Sequence, residues 1–156
     1  MFKKILIALD GSKGSERVMP LAVELAKSSG AELVIAHVDE LTLGKGGGSI
    51  NPVDDDLRAQ LKSRAQELSD EGVETAFEAR SVVLGGPAHV LAEIADEVGA
   101  DLILTGSRGH SAIGGVLLGS VPQRLLHIAH QPVLVVPESA RIEESSGTIG
   151  TAAGVA

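Results

Sequence analysis

The sequence predicts a single doubly wound, mostly parallel α/β domain, and three observations carry that expectation. Five short, β-branched apolar runs recur along 156 residues, segments of helical periodicity separate them, and glycines mark the boundaries. Strict alternation of strand and helix in so short a chain calls for right-handed crossovers with helices on both faces of the sheet. With 44% hydrophobic and 22% charged residues, the chain has enough apolar material for one core and too little length for two.

The first run, Lys4 to Leu9, is continuously apolar, as a strand covered on both faces requires. Val18, Leu21, Ala22 and Leu25 then recur on one helical stripe, with Pro20 implying a late start or a kink. Gly30 closes that helix before a second strand, Glu32 to Val38. Leu43 to Asn51, with Gly44, Gly46, Gly47 and Gly48, reads as a flexible loop. Leu57, Leu61, Ala65 and Leu68 define the next helix, opened by Asp54, Asp55 and Asp56 where three acids suit the helix dipole, and ended by Gly72. The third strand, Val73 to Ser81, alternates and so belongs at an edge. Val90, Leu91, Ile94, Ala95 and Val98 form a helix ending at Gly99, with Glu93, Asp96 and Glu97 on its wet face, followed by strand Asp101 to Thr105. Ser120 is expected to cap a helix burying Leu125, Ile128 and Ala129, with Pro122 tolerated in its first turn. Pro132 to Val136 is the last strand, giving a five-stranded sheet of order 3-2-1-4-5. The domain spans residues 1–137, and the Ser-, Gly- and Ala-rich tail, 138–156, is expected to be flexible.

A net charge of −8 argues against nucleic acid or an anionic membrane as partner, so an anionic ligand has to be held locally. The apolar stretch Ile5 to Leu9 is too short for a secretory signal, and no run nears the roughly 20 apolar residues of a bilayer span. Cytoplasmic residence is therefore expected. Without cysteine there is no disulfide, thiolate metal site or cysteine nucleophile. His127 and His130 stand at i, i+3, but no carboxylate or third ligand accompanies them, so no metal site is expected. Since Trp and Tyr are absent, a bound base would rest on aliphatic side chains.

Ligands of open parallel sheets bind beyond the carboxyl ends of the strands, where strand order reverses. Two segments follow strands one and four: Asp10-Gly11-Ser12, and Gly106-Ser107-Arg108-Gly109 with Gly119-Ser120 nine residues on. Glycines at 106, 109 and 119 would permit positive φ and close approach of backbone amides to a phosphate. Ser120 opens a helix whose free amides favour an anion, and Arg108 and His110 add positive charge. Asp10 can also be read as a helix cap.

The pattern Gly106-x2-Gly109-x9-Gly119-Ser120, with Ile5-Leu-Ile-Ala-Leu-Asp10-Gly-Ser12, Ala36-His37-Val38 and Gly86-Pro87-Ala88, resembles the universal stress protein family over roughly residues 2 to 137. The spaced glycines resemble its ATP-binding members. The resemblance implies that Asp10 binds the ribose hydroxyls, that Ala8 and Leu9 line the nucleoside pocket, and that Val38 meets adenine through its backbone with Thr105 nearby. It places the phosphates on Gly106, Gly109, Gly119, Ser120 and Val121, with Mg or Mn held through those phosphates; Ser107, Arg108 and His110 join the expected site from their place in the same loop. It also implies a homodimer paired through Val133 to Val136. The expected role is a nucleotide-dependent regulatory or stress-response protein acting on an unknown downstream partner; the alternatives are a slow ATPase, or a binder of AMP or cyclic AMP. Gly114 and Gly115 depart from the charged or larger residues common in relatives, which bears on affinity. No G-x-x-x-x-G-K-[ST] loop is present, and no base stands beside Gly119. A receiver domain would want an acidic pair and a lysine that are missing, a flavin site would want aromatic stackers, and a hydrolase would want a G-x-S-x-G elbow.

Overall fold

A computed structural model of the chain describes residues 1–47, 53–83, 86–108 and 118–141. Strand β1 (Lys4–Ala8) is followed by helices α1 (Lys13–Glu16) and α2 (Val18–Ser29), then β2 (Glu32–Glu40), α3 (Asp55–Asp70) and β3 (Thr75–Val82). Helix α4 (Pro87–Val98), β4 (Leu102–Gly106), α5 (Ser120–Ile128) and β5 (Val133–Val136) complete the order. All four strand pairings are parallel, and the sheet runs β3-β2-β1-β4-β5. The expected fold is therefore the observed one, with β3 at an edge as its alternation implied.

Side-chain alternation along β1 divides the core. Ile5, Ile7 and Leu9 pack with Val18, Ala22, Leu61 and Leu68 beneath α2 and α3. Leu6 and Ala8 pack with Leu91, Ile94 and Leu125 beneath α4 and α5. Both faces of β1, β2 and β4 are thus dry, which is why those strands read as continuous apolar runs.

The helix boundaries refine the sequence reading. The first helical pattern is two helices that break at Arg17, and Pro20 falls in the first turn of α2, where its missing amide costs no helical bond. Its buried stripe includes Met19 and Ala26, while Leu21 and Leu25 lie at the margin. Gly30 and Gly99 end α2 and α4 in the left-handed conformation, at φ 68° and 70°. Asp54 caps α3 by accepting the Leu57 amide at 2.9 Å. Among the described residues no helix is long and apolar enough to cross a membrane.

Of the loop from Leu43 to Asn51, residues 48–51 lie outside the described residues. Beyond β5, Glu138 pairs with Arg108 at 3.9 Å, its carbonyl accepts from Arg17, and Ala140 packs against the α2–α3 face of the core. His130 faces Asp96, which also accepts from Gln131. Of the paired histidines of the sequence, His130 thus meets a carboxylate, that of Asp96 on α4.

Candidate functional site

Strand order reverses between β1 and β4: the chain leaves β1 for β2 on one side and returns to β4 on the other. The carboxyl ends of both strands open into one cavity of about 780 Å³, within the range of small-molecule sites. Of the residues singled out in the sequence, Ala8, Leu9, Asp10, Val38, Thr105, Gly106, Arg108, Gly119, Ser120 and Val121 all line it. Gly109 and His110 lie outside the described residues. Ser107 is not among the lining residues. Its amide donates to the Val136 carbonyl at 2.8 Å and its carbonyl accepts the Gly119 amide at 2.7 Å, so it ties the loop to β5 and to the start of α5.

Two expectations about the glycine loop need correction. Neither Gly106 nor Gly119 has positive φ. What Gly106 supplies is room, because a Cβ there would lie 2.6 Å from the Gly14 carbonyl oxygen, where the first turn of α1 presses on the end of β4. A Cβ on Gly119 would meet the Ser107 carbonyl oxygen at 3.2 Å. Ser120, moreover, is the first residue of α5 and not its cap. Gly119 takes the cap position and makes no side-chain bond, so the first amides of α5 are left without an internal acceptor at the cavity wall.

Asp10 sits in a tight polar turn. Its Oδ1 accepts the Ser12 amide at 2.9 Å, its own amide donates to Ser15 Oγ at 3.2 Å, and Ser12 caps α1. The capping role belongs to Ser12, and Asp10 is held at the cavity mouth. Partial burial and then the charge of Asp10 raise the Glu16 carboxyl above its ordinary pKa, with Arg64 opposing.

The cavity also gathers residues that the sequence reading gave no ligand role: Ala36, His37, Asp39 and Glu40 from β2, Asp54 and Leu57 from α3, Gly86, Pro87, Ala88 and Leu91 at α4, and Pro122 and Arg124 on α5. Their charges are segregated. Asp39, Glu40 and Asp54 lie at the β2–α3 end, while Arg108 and Arg124 lie at the β4–α5 end, and Arg124 makes no ion pair among the described residues. Asp39 is nearly enclosed and makes four contacts with three residues. The Asp54 amide is at 3.1 Å, Arg58 Nε at 2.7 Å and a terminal Arg58 nitrogen at 2.5 Å, and His37 Nε2 stands 3.3 Å away. Burial alone would raise the Asp39 pKa, but the Asp54 amide, Arg58 and His37 outweigh it and leave the carboxyl below its ordinary value. Arg58 extends the chain to Ser81 Oγ at 2.9 Å. The isolated histidine inside an apolar strand was the one sequence signal for this network.

A doubly wound parallel α/β protein with a charged cleft at its switch point is the class these observations define. The chain belongs to the universal stress protein family, whose model matches residues 1–137. It is 35% identical over 147 residues to the universal stress protein YxiE of Bacillus subtilis, covering 87% of this chain and 99% of that one. Universal stress protein A homolog 1 of Coxiella burnetii is 33% identical over 139 residues, with 86% and 96% covered. Among solved structures, a universal stress protein in complex with cAMP matches with a TM-score of 0.62 and 32% identity, over 88% of this chain and 98% of that one. The universal stress protein of Archaeoglobus fulgidus in complex with dAMP matches with a TM-score of 0.59 and 25% identity, over 86% and 97%.

Proposed function

We propose that the protein binds ATP in this cleft and acts as a nucleotide-dependent regulator, pairing with a second copy through β5. The observation that carries the reading is the uncapped start of α5, opening into the same cavity as Asp10 and the Val38 edge. Free helix amides, the positive end of the helix dipole and two arginines offer an anion site at one end of the cleft. The nucleoside then lies toward β1 and β2, where Asp10 meets the ribose hydroxyls and Ala8, Leu9, Ala36 and Val38 give the base an aliphatic bed. Phosphates at the α5 end and base at the β2 end match the segregation of charge along the cleft. On this reading Gly109 and His110 join the phosphate site, and Thr105 and Val121 flank the sugar.

On this reading Mg or Mn bound with ATP would be held through the phosphates. The relatives carrying cAMP and dAMP support a second reading, in which a monophosphate is the preferred ligand. With no G-x-x-x-x-G-K-[ST] loop and no obvious base beside Gly119 in the sequence, turnover of ATP is slow on this reading.

Titration calorimetry with ATP and magnesium, AMP and cyclic AMP tests the proposal. Saturable ATP binding that weakens in Gly119→Asp supports it, because an aspartate would place a negative charge at the phosphate site. AMP or cyclic AMP binding more tightly than ATP would favour the second reading, and no binding of any of the three would refute both.

A further inference from the structure

We propose that His37 is a positioning residue of the nucleobase site: its imidazole takes over the Leu9 carbonyl and thereby leaves the Val38 peptide edge open to a base. The assignment rests on the nucleotide reading above for its ligand, but its geometry is independent of that reading. The Glu32 amide donates to the Lys3 carbonyl on the β1 side, and the Leu33 amide to the Glu74 carbonyl on the β3 side. Even-numbered residues of β2 therefore turn both amide and carbonyl toward β1. The β1–β2 ladder ends at the Ala8–Ala36 pair, with the Leu9 amide donating to the Ala36 carbonyl at 3.0 Å.

One step further, the ladder would deliver the Val38 amide to the Leu9 carbonyl. That carbonyl is instead 2.8 Å from His37 Nδ1. A carbonyl oxygen only accepts, so Nδ1 carries the hydrogen. The side chain of His37 has replaced the backbone of Val38, and the Val38 peptide, which lines the cavity, keeps an adjacent donor and acceptor turned toward the space vacated as β1 departs. Such a pair suits the edge of a base that presents an acceptor beside an amine.

Asp39 acts behind His37. Its carboxylate faces Nε2 and is itself fixed by Arg58 and by the Asp54 amide at the head of α3. His37 and Asp39 are only 5% and 7% exposed. Neither contributes to the apolar clusters, and burying ionisable groups carries a desolvation cost that packing alone would not require.

Amide hydrogen exchange and nucleotide titration on the parent, His37→Asn and His37→Leu test the assignment. Asparagine keeps an N–H donor near the place of Nδ1, whereas leucine keeps bulk without a donor. In the ligand-free parent, the Val38 amide should exchange rapidly while that of Ala36 is protected. In His37→Leu the Val38 amide should become protected as the ladder closes. Adenosine, AMP and ATP should then weaken by a common factor of about ten, as expected for a lost base contact. His37→Asn should track the parent in both measurements. Should His37→Leu not fold, His37→Gln takes its place with the same expectations, since its amide reaches toward Asp39 instead of Leu9. Protection of Val38 in the free parent, or a donor-less variant matching the parent in exchange and adenosine affinity, would overturn the assignment. A parent that shows the exchange pattern but binds no adenosine or ATP would overturn the nucleotide ligand and leave the role of His37 in the strand geometry intact.

Discussion

Replacing Gly106 by alanine tests the contact that joins the end of β4 to the first turn of α1. The new Cβ would lie 2.6 Å from the Gly14 carbonyl oxygen, 3.0 Å from its carbon and 3.4 Å from the Arg108 carbonyl oxygen. All three atoms are backbone, so no side chain can rotate to relieve the clash. Gly106 ends a strand with no exposed residue, and α1 is held there by the Ser12 cap and the turn at Asp10. Overpacking of this kind costs about 1–3 kcal/mol. For a domain of this size, that corresponds to a fall in Tm of roughly 3–10 °C. Gly46→Ala is the control, because a Cβ there meets nothing within 4 Å and the φ is not positive; its effect should stay within about 0.5 kcal/mol. Thermal unfolding followed by far-ultraviolet circular dichroism suits a chain without Trp or Tyr. A Gly106→Ala protein that melts with the Gly46→Ala control would refute the close approach and the reason given for glycine at this position.

Acid unfolding should report on Asp39. Its folded pKa is lowered, so its stabilising contribution is complete above the ordinary carboxylate value of about 3.9 and is lost as pH falls through the lower folded value. Urea midpoints between pH 2 and 6 should fall more steeply below about pH 4 in the parent than in Asp39→Asn, and parallel curves would contradict this sign. Ser12→Ala removes the acceptor of the Ser15 amide at 3.2 Å and should cost about 1 kcal/mol, read from the same urea midpoints. On the proposed dimer, light scattering should give about twice the 16.0 kDa of one chain. Leu134→Lys, at an apolar position 39% exposed on the β5 edge, should reduce that mass to a single chain.

Much of the fold was legible because burial on both faces leaves a direct trace. Continuous apolar runs marked β1, β2 and β4, and alternation marked β3 as an edge. The cleft was legible from topology, since ligands of open parallel sheets bind beyond the strand ends where the order reverses, and the glycines and serine follow β4 there. Three things were hidden. Pro20 signalled a late start for α2, but the separate turn α1 and its close approach to β4 involve residues far apart in sequence. Gly119 and not Ser120 takes the cap, its amide bonded to the Ser107 carbonyl, and loop spacing cannot show that bond. The network of His37, Asp39, Arg58 and Ser81 needs the β2–β3 register, which sets Asp39 beside Ser81, and an arginine of α3 that reaches both. Glycine at 106 was read for its freedom of φ when its value lies in the missing Cβ.

The backbone amides of α5 offer the most direct measurement. In ¹⁵N-labelled protein titrated with ATP and magnesium, the amides of Gly119, Ser120 and Val121 should shift together with that of Val38, all saturating at one affinity, while those of the β3 edge stay still. Shifts confined to other surfaces, or a spectrum unchanged at saturating ATP, would contradict the placement of phosphates on the open end of that helix.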